Sequence, residues 1–146
     1  MRPPSSFPSP KQLAKELQQL HQQRKAGKQT RSRTRRLTKQ QRLEVLSKTN
    51  GKCHICGTPL TADQFQADHV QAHVSGGSSL VDNFLPSCST CNNYRWHYLP
   101  EEIQWVLKLG AWAKTQIEKE TGLGKQMAEG FVKAEIRREK SKKRKR

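Results

Sequence analysis

Three sets of residues in this chain have types and spacings that can do chemistry. The first is the cysteines. All four stand as two C-x-x-C pairs, Cys53 with Cys56 and Cys88 with Cys91. Two residues between thiols let both sulfurs face one ion, and two such knuckles are the usual way to hold one Zn2+ in a tetrahedral sulfur site. The 31 residues between the pairs, 57 to 87, leave room for a hairpin and a loop. The alternative is two disulfides, which need an oxidising compartment. The opening MRPPSSFPSP has no apolar core like that of a signal peptide. His54 lies inside the first knuckle, but four thiolates already fill the site, so it reads as a bystander. The second set is Asp68-His69, and the third is Asn83 with Asn92. A closed site of four thiolates does no chemistry itself, so a reaction falls to these two sets. Histidine suits a general base because its ordinary pKa lies near neutrality. A carboxylate and an amide oxygen suit a hard divalent cation such as Mg2+, with a substrate phosphate completing its shell.

Four elements occur in order: Asp68-His69-Val70, Gly76-Gly77, Asp82-Asn83, and Cys88-x-x-Cys91-Asn92-x-x-Arg95. Together they resemble an HNH (His-Me finger) nuclease of the zinc-stapled kind, over about residues 52 to 97. The resemblance implies a small α+β fold, in which a ββα-metal core is closed by a four-cysteine zinc site and flanked by N- and C-terminal helices. It implies a metal-dependent endonuclease that hydrolyses phosphodiester bonds of DNA, with one divalent metal such as Mg2+. In that pattern Asp68 is the metal-binding acid, His69 the general base and Asn92 the second metal ligand. Asn83 is a brace that ties down the loop behind the base. Arg95 falls where the family often has lysine and is expected to contact a phosphate.

Blander readings stand beside these. Asn83 could cap a turn, and Asn92 could be the N-cap of its own helix. His73 departs from the family, where proline or an apolar residue is common nearby. It is a second phosphate contact, a spare ligand or a surface-loop histidine. His97, after Tyr94 and Trp96, reads as packing or substrate contact.

The elements that position these residues follow from pattern. Residues 65–70 read as a strand, 71–82 as a glycine- and serine-containing loop, and Phe84-Leu85-Pro86 as a second strand. A helix follows from about Ser89 to His97. Upstream, Leu13, Leu17 and Leu20 put a narrow apolar stripe on a helix over Lys11–Ala26, a docking or pairing helix rather than core. Thr38 with Gln41 forms a capping box for a helix that Asn50-Gly51 stops. Downstream, Pro100-Glu101-Glu102 starts a helix that Gly122 and Gly124 break, and Met127, Phe131, Ala134 and Ile136 suggest a last one. The expected organisation is a disordered tail over 1–10 and a basic helical arm over 11–50. A nuclease domain over 51–98, helices over 99–140 and a basic tail over 141–146 complete it.

Charge divides the chain the same way. Of the net +16, residues 1–50 hold 13 Lys and Arg against 2 Asp and Glu, a net of +11. Residues 51–100 hold 2 against 3, a net of −1, and residues 101–146 hold 13 against 7, a net of +6. A near-neutral centre between basic flanks suits flanks that grip a polyanion and a centre that acts on it. Arg31, Arg33, Arg35 and Arg36 lie in a basic linker, Lys28 to Arg36, expected to order only on DNA. With Arg95 and His73 they are the candidate nucleic-acid contacts. Only 32% of residues are hydrophobic, so a small core stapled by metal is expected. No stretch is apolar enough to cross a membrane. A cytoplasmic protein of prokaryotic or phage origin is expected, acting on double-stranded DNA. Two rivals remain: a non-catalytic zinc-binding nucleic-acid module, and a subunit whose terminal helices bind a protein partner or a second copy.

Overall fold

The apolar stripe of Leu13, Leu17 and Leu20 builds α1 (Pro10–Gly27). In the computed structural model, which describes residues 8–27, 36–71 and 76–144, only Leu20 and Arg24 of this helix are buried. The docking role expected of it therefore turns on a charge. Arg24 Nε donates to both carboxylate oxygens of Glu102, at 3.2 and 2.9 Å. Its guanidinium lies 4.6 Å from the ring centre of Trp96 and 5.3 Å from that of Tyr98.

α2 (Lys39–Ser47) starts as its sequence dictates: the Thr38 hydroxyl accepts from Gln41 N, and the Gln41 side chain accepts from Thr38 N. After it, Asn50 and Gly51 both take positive φ, 51° and 73°, which turns the chain toward the first knuckle. Val45 of α2 is fully buried and forms the core with Phe65 and Phe84. Leu37, Leu46, Leu60, Ala67 and Val81 pack around these three. Arg42 fastens the loop before the hairpin to α2, donating to the carbonyls of Ala62 and Phe65.

Two strands form the sheet, β1 (Gln66–His69) and β2 (Phe84–Ser87), antiparallel, with Asp68 opposite Leu85 and His69 opposite Phe84. Pro86 is tolerated because β2 needs no N–H there. Its carbonyl instead accepts from His54 N at 2.9 Å, which ties the first knuckle to β2. α3 (Ser89–Arg95) follows at once, with Cys88 as N-cap. The small α+β fold, with five α-helices and a two-stranded sheet among the described residues, is the one the resemblance implied.

The chain divides into two compact units, residues 1–103 and 104–146. α4 (Pro100–Glu118) begins in the first and supplies most of its length to the second. In the second unit, α5 (Gly122–Lys143) starts earlier than the glycines suggested. Thr121 caps it through Gly124 N at 3.0 Å. Gly124 lies within the first turn, where a Cβ would stand 2.0 Å from the carbonyl oxygen of Gln116. It marks a close helix approach rather than a break. α5 also carries the basic run 140–143 in helix, further than the expected boundary at 140. No helix among the described residues is long and apolar enough to cross a membrane.

Candidate active site

The two knuckles bring the sulfurs of Cys53, Cys56, Cys88 and Cys91 within 4.8 Å of one another. Cys56 Sγ and Cys88 Sγ are 3.9 Å apart, and all four thiols are free. Zinc–sulfur bonds of about 2.3 Å give a tetrahedral edge of about 3.8 Å, whereas a disulfide needs about 2.05 Å. The disulfide alternative does not fit this geometry; a shared cation does. The thiols also respond as a crowded set. Burial pushes Cys53 up, but backbone N–H groups of Cys56, Cys88 and Ile55 outweigh it and bring the thiol down. The Thr58 hydroxyl, then its backbone, lowers Cys56 to about 6. Burial, then the neighbouring sulfurs, pushes Cys91 up. One thiol gives its proton readily and another resists, a conflict that one dication bound by four thiolates removes.

Alternation along β1 sends Asp68 and His69 to opposite faces of the hairpin. The His69 ring packs on the core, 4.4 Å from the Phe84 ring across the strand pair. Its Nε2 is shielded from bulk solvent. Asp68, on the other face, is 5% exposed. Arg95 Nη1 donates to Asp68 Oδ1 at 2.7 Å and His54 Nε2 donates to Oδ2 at 2.8 Å. Arg95 also holds the end of β1, donating to the carbonyls of His69 and Val70 at 2.8 and 3.2 Å.

Asn83 spans the loop. Its Oδ1 accepts from Gln71 N at 2.9 Å, and its Nδ2 donates to the carbonyls of Gln71 and Ser78 at 3.0 and 2.7 Å. Gly77 makes this closure possible: a Cβ there would stand 1.8 Å from the Gln71 carbonyl oxygen. Asn92 lies in the second turn of α3. Cys88 occupies the N-cap, so the capping reading of Asn92 falls.

Asp68, His69, Asn92, Arg95, Trp96 and His97 line one cleft of ≈ 200 Å³. His69 also lines a second, more open cleft with Arg36, Leu37, Arg42 and Phe84. His69, Asp68 and Asn92 are thus brought together, while Asn83 stands behind them. Arg31, Arg33, Arg35 and His73 lie outside the described residues. For a hard divalent cation the cleft offers the Asp68 carboxylate and the Asn92 amide. That sparse oxygen set fits an ion carried mostly by water and substrate, with Arg95 already on one Asp68 oxygen and His54 on the other, each oxygen keeping a further lone pair for the ion.

Residues 53–106 match the HNH endonuclease family model. None of the curated proteins compared with the chain matches it. The HNH match spans both knuckles, the hairpin, α3 and the start of α4, and it implies a nuclease-type function with nucleic acid as substrate class. It leaves α1 and α2 outside. Two features of the HNH site were missed in the sequence. His54 is no bystander, since it holds Asp68. Arg24, 78 residues from Glu102, reaches the Trp96 that lines the cleft. The only local signal for His54 was a polar residue between two metal-ligand positions, and Arg24 left none.

Proposed function

We propose that the chain is a metal-dependent endonuclease that hydrolyses phosphodiester bonds of double-stranded DNA. The observation that carries this reading is the single cleft in which Asp68, His69 and Asn92 meet. His69 accepts the proton of the attacking water. Its packing on Phe84 and the Asn83 brace behind it fix the imidazole, so little reorientation is needed on reaction. Asp68 and Asn92 hold a divalent cation such as Mg2+. When bound, this ion neutralises charge on the phosphoryl oxygens. A guanidinium has five donors, and the bonds Arg95 makes to Asp68, His69 and Val70 use three; the others face a phosphate. Zn2+ in the four-cysteine cluster closes the base of the module and takes no part in the chemistry. Arg31, Arg33, Arg35, Arg36 and His73 grip the backbone of the duplex.

The test is conversion of supercoiled plasmid to nicked circle with Mg2+, comparing wild type with His69→Ala. Nicking by wild type that the variant loses is expected. A wild type that binds DNA but never nicks would favour a non-catalytic zinc-binding module instead.

A specific observation favours a second reading, a nuclease subunit with a protein partner or a second copy on its terminal helices. In the second unit Leu107, Trp112, Phe131, Val132 and Ile136 are half or more exposed, an apolar set that isolated soluble helices seldom show. Sedimentation with and without DNA separates a monomer from an assembly.

A further inference from the structure

We propose that His54 is a positioning residue for Asp68, and that through it the four-cysteine cluster sets the orientation of the acid in the cleft. This rests on the nuclease reading above for its consequence in activity, but not for its geometry.

Asp68 is nearly out of solvent, with a side chain 6% exposed. A buried carboxylate needs a partner for each oxygen. Arg95 serves Oδ1 and His54 serves Oδ2, at 2.7 and 2.8 Å. The two partners are not equivalent. Arg95 lines the cleft, and His54 does not. His54 therefore reaches the carboxylate from the knuckle side, outside the residues that line the cleft. A carboxylate only accepts, so His54 Nε2 carries the hydrogen in this bond.

The consequence lies in what Asp68 would do without His54. A guanidinium and a carboxylate prefer the two-bond fork arrangement. Arg95 Nη2 and Nη1 could then take both oxygens if the carboxylate turned about its last torsion. That turn removes the acid from the cation and leaves it a plain ion-pair partner. The hydrogen bond from His54 to Oδ2 opposes the turn, so one oxygen edge stays presented to the cleft.

His54 can do this because its backbone is fixed on both sides. Cys53, before it, is buried and bonded through its N–H to the Thr58 carbonyl at 2.8 Å. His54 N is bonded to the Pro86 carbonyl of β2 at 2.9 Å. Cys56 follows two residues on, in the cluster. A cation in the cluster thus fixes a knuckle that fixes His54, and His54 fixes Asp68.

The experiment compares wild type, His54→Ala and His54→Gln, with Asp68→Ala as the marker of the cation site. Zinc content and thermal midpoint are measured first, then Mn2+ affinity by calorimetry, then plasmid nicking with separate kcat and KM. Loss of an outer partner of a metal-binding carboxylate typically costs about 10- to 100-fold in affinity or activity. His54→Ala is expected to keep one zinc, to melt somewhat lower because a buried carboxylate oxygen loses its partner, and to lose about that factor in Mn2+ affinity and in kcat, with KM for plasmid unchanged. His54→Gln, whose amide N–H reaches the same oxygen, should recover most of the loss. Wild-type values in His54→Ala overturn the proposal. So does His54→Gln behaving like His54→Ala, because orientation by a hydrogen bond would then not be the role. Loss of zinc in both variants also overturns it, because His54 would serve the knuckle alone. A wild type that binds Mn2+ without nicking defeats the nuclease reading only, and the Mn2+ titration still decides on His54. A wild type that does neither overturns both.

Discussion

Asp68 and His69 are neighbours in sequence, and in the proposed reading they do separate work because a strand turns them apart. His69 rests on Phe84 and Asp68 is held by His54 and Arg95, and both line the one cleft. This separation makes a prediction about four variants. His69→Ala should lose about 10²- to 10⁴-fold in nicking rate and keep its DNA affinity, because the imidazole acts on water and adds little phosphate grip. Asp68→Ala should stop nicking through the cation, so raised Mg2+ or substituted Mn2+ restores part of the rate, and neither rescues His69→Ala. Asn92→Ala should follow Asp68→Ala in a milder form, since an amide is the weaker ligand. Asn83→Ala should slow nicking without changing its metal dependence. Initial rates against metal concentration check all four; excess metal rescuing His69→Ala instead of Asp68→Ala would reverse the assignments. These residues could be singled out as candidates because their types and order are constrained by chemistry. His54 could not, because a C-x-x-C spacing fixes which way the thiols point and says nothing of the side chain between them.

At the scale of elements, the loop behind His69 is closed by backbone contact as much as by Asn83. Gly76 and Gly77 are adjacent, yet they should fail differently. Gly76 has φ +81° and open space, so Gly76→Ala pays only for a left-handed backbone, about 1–2 kcal/mol. Gly77→Ala drives a Cβ into the Gln71 carbonyl, which cannot step aside without releasing Asn83. It should cost more than its neighbour and also slow nicking, as thermal unfolding and initial rates would show; equal effects at the two positions would remove the close approach from the explanation. The docking of α1 is anchored by the buried Arg24–Glu102 pair. Arg24 and Glu102 have side chains only 4% and 7% exposed. Arg24→Met leaves a buried carboxylate with the Leu99 N–H, and breaking such a pair costs on the order of 3–5 kcal/mol. Adding Glu102→Gln should recover much of this, because the amide keeps the Leu99 bond without a charge. Amide exchange in α1 measures both. The helices themselves, the capping box at Thr38 and the strand pair could be read from local pattern. The Arg24–Glu102 pair could not, because a contact between positions so far apart leaves no periodicity in either segment.

Over the whole molecule, the small core of Val45, Phe65 and Phe84 is matched to a metal staple and a divided charge. A two-stranded hairpin is marginal in water by itself, and zinc bound by small thiolate domains supplies on the order of 10 kcal/mol of folding free energy. A strong chelator should therefore unfold residues 53–97 rather than only silence them, and circular dichroism that does not change on zinc removal would sink the staple. The near-neutral HNH segment between basic flanks leads to the last prediction. Binding energy should reside in the flanks, and cleavage in the centre. Lys28, Arg31, Arg33, Arg35 and Arg36 directly precede α2, and Arg36 lines the open cleft beside His69. Each phosphate neutralised steepens the dependence of log affinity on log salt by about 0.9. Replacing all five with glutamine should flatten that slope by about 4.5 and weaken binding to two unrelated duplexes by the same factor, since phosphate contacts carry no sequence. The nicking rate at saturating DNA should stay near that of wild type, because Asp68, His69 and Asn92 are untouched. Fluorescence anisotropy on both duplexes over a range of salt, followed by single-turnover nicking, makes the comparison. An unchanged slope would move the grip elsewhere, to α5 and its basic end. A loss confined to one duplex would mean that these side chains read bases instead of phosphates.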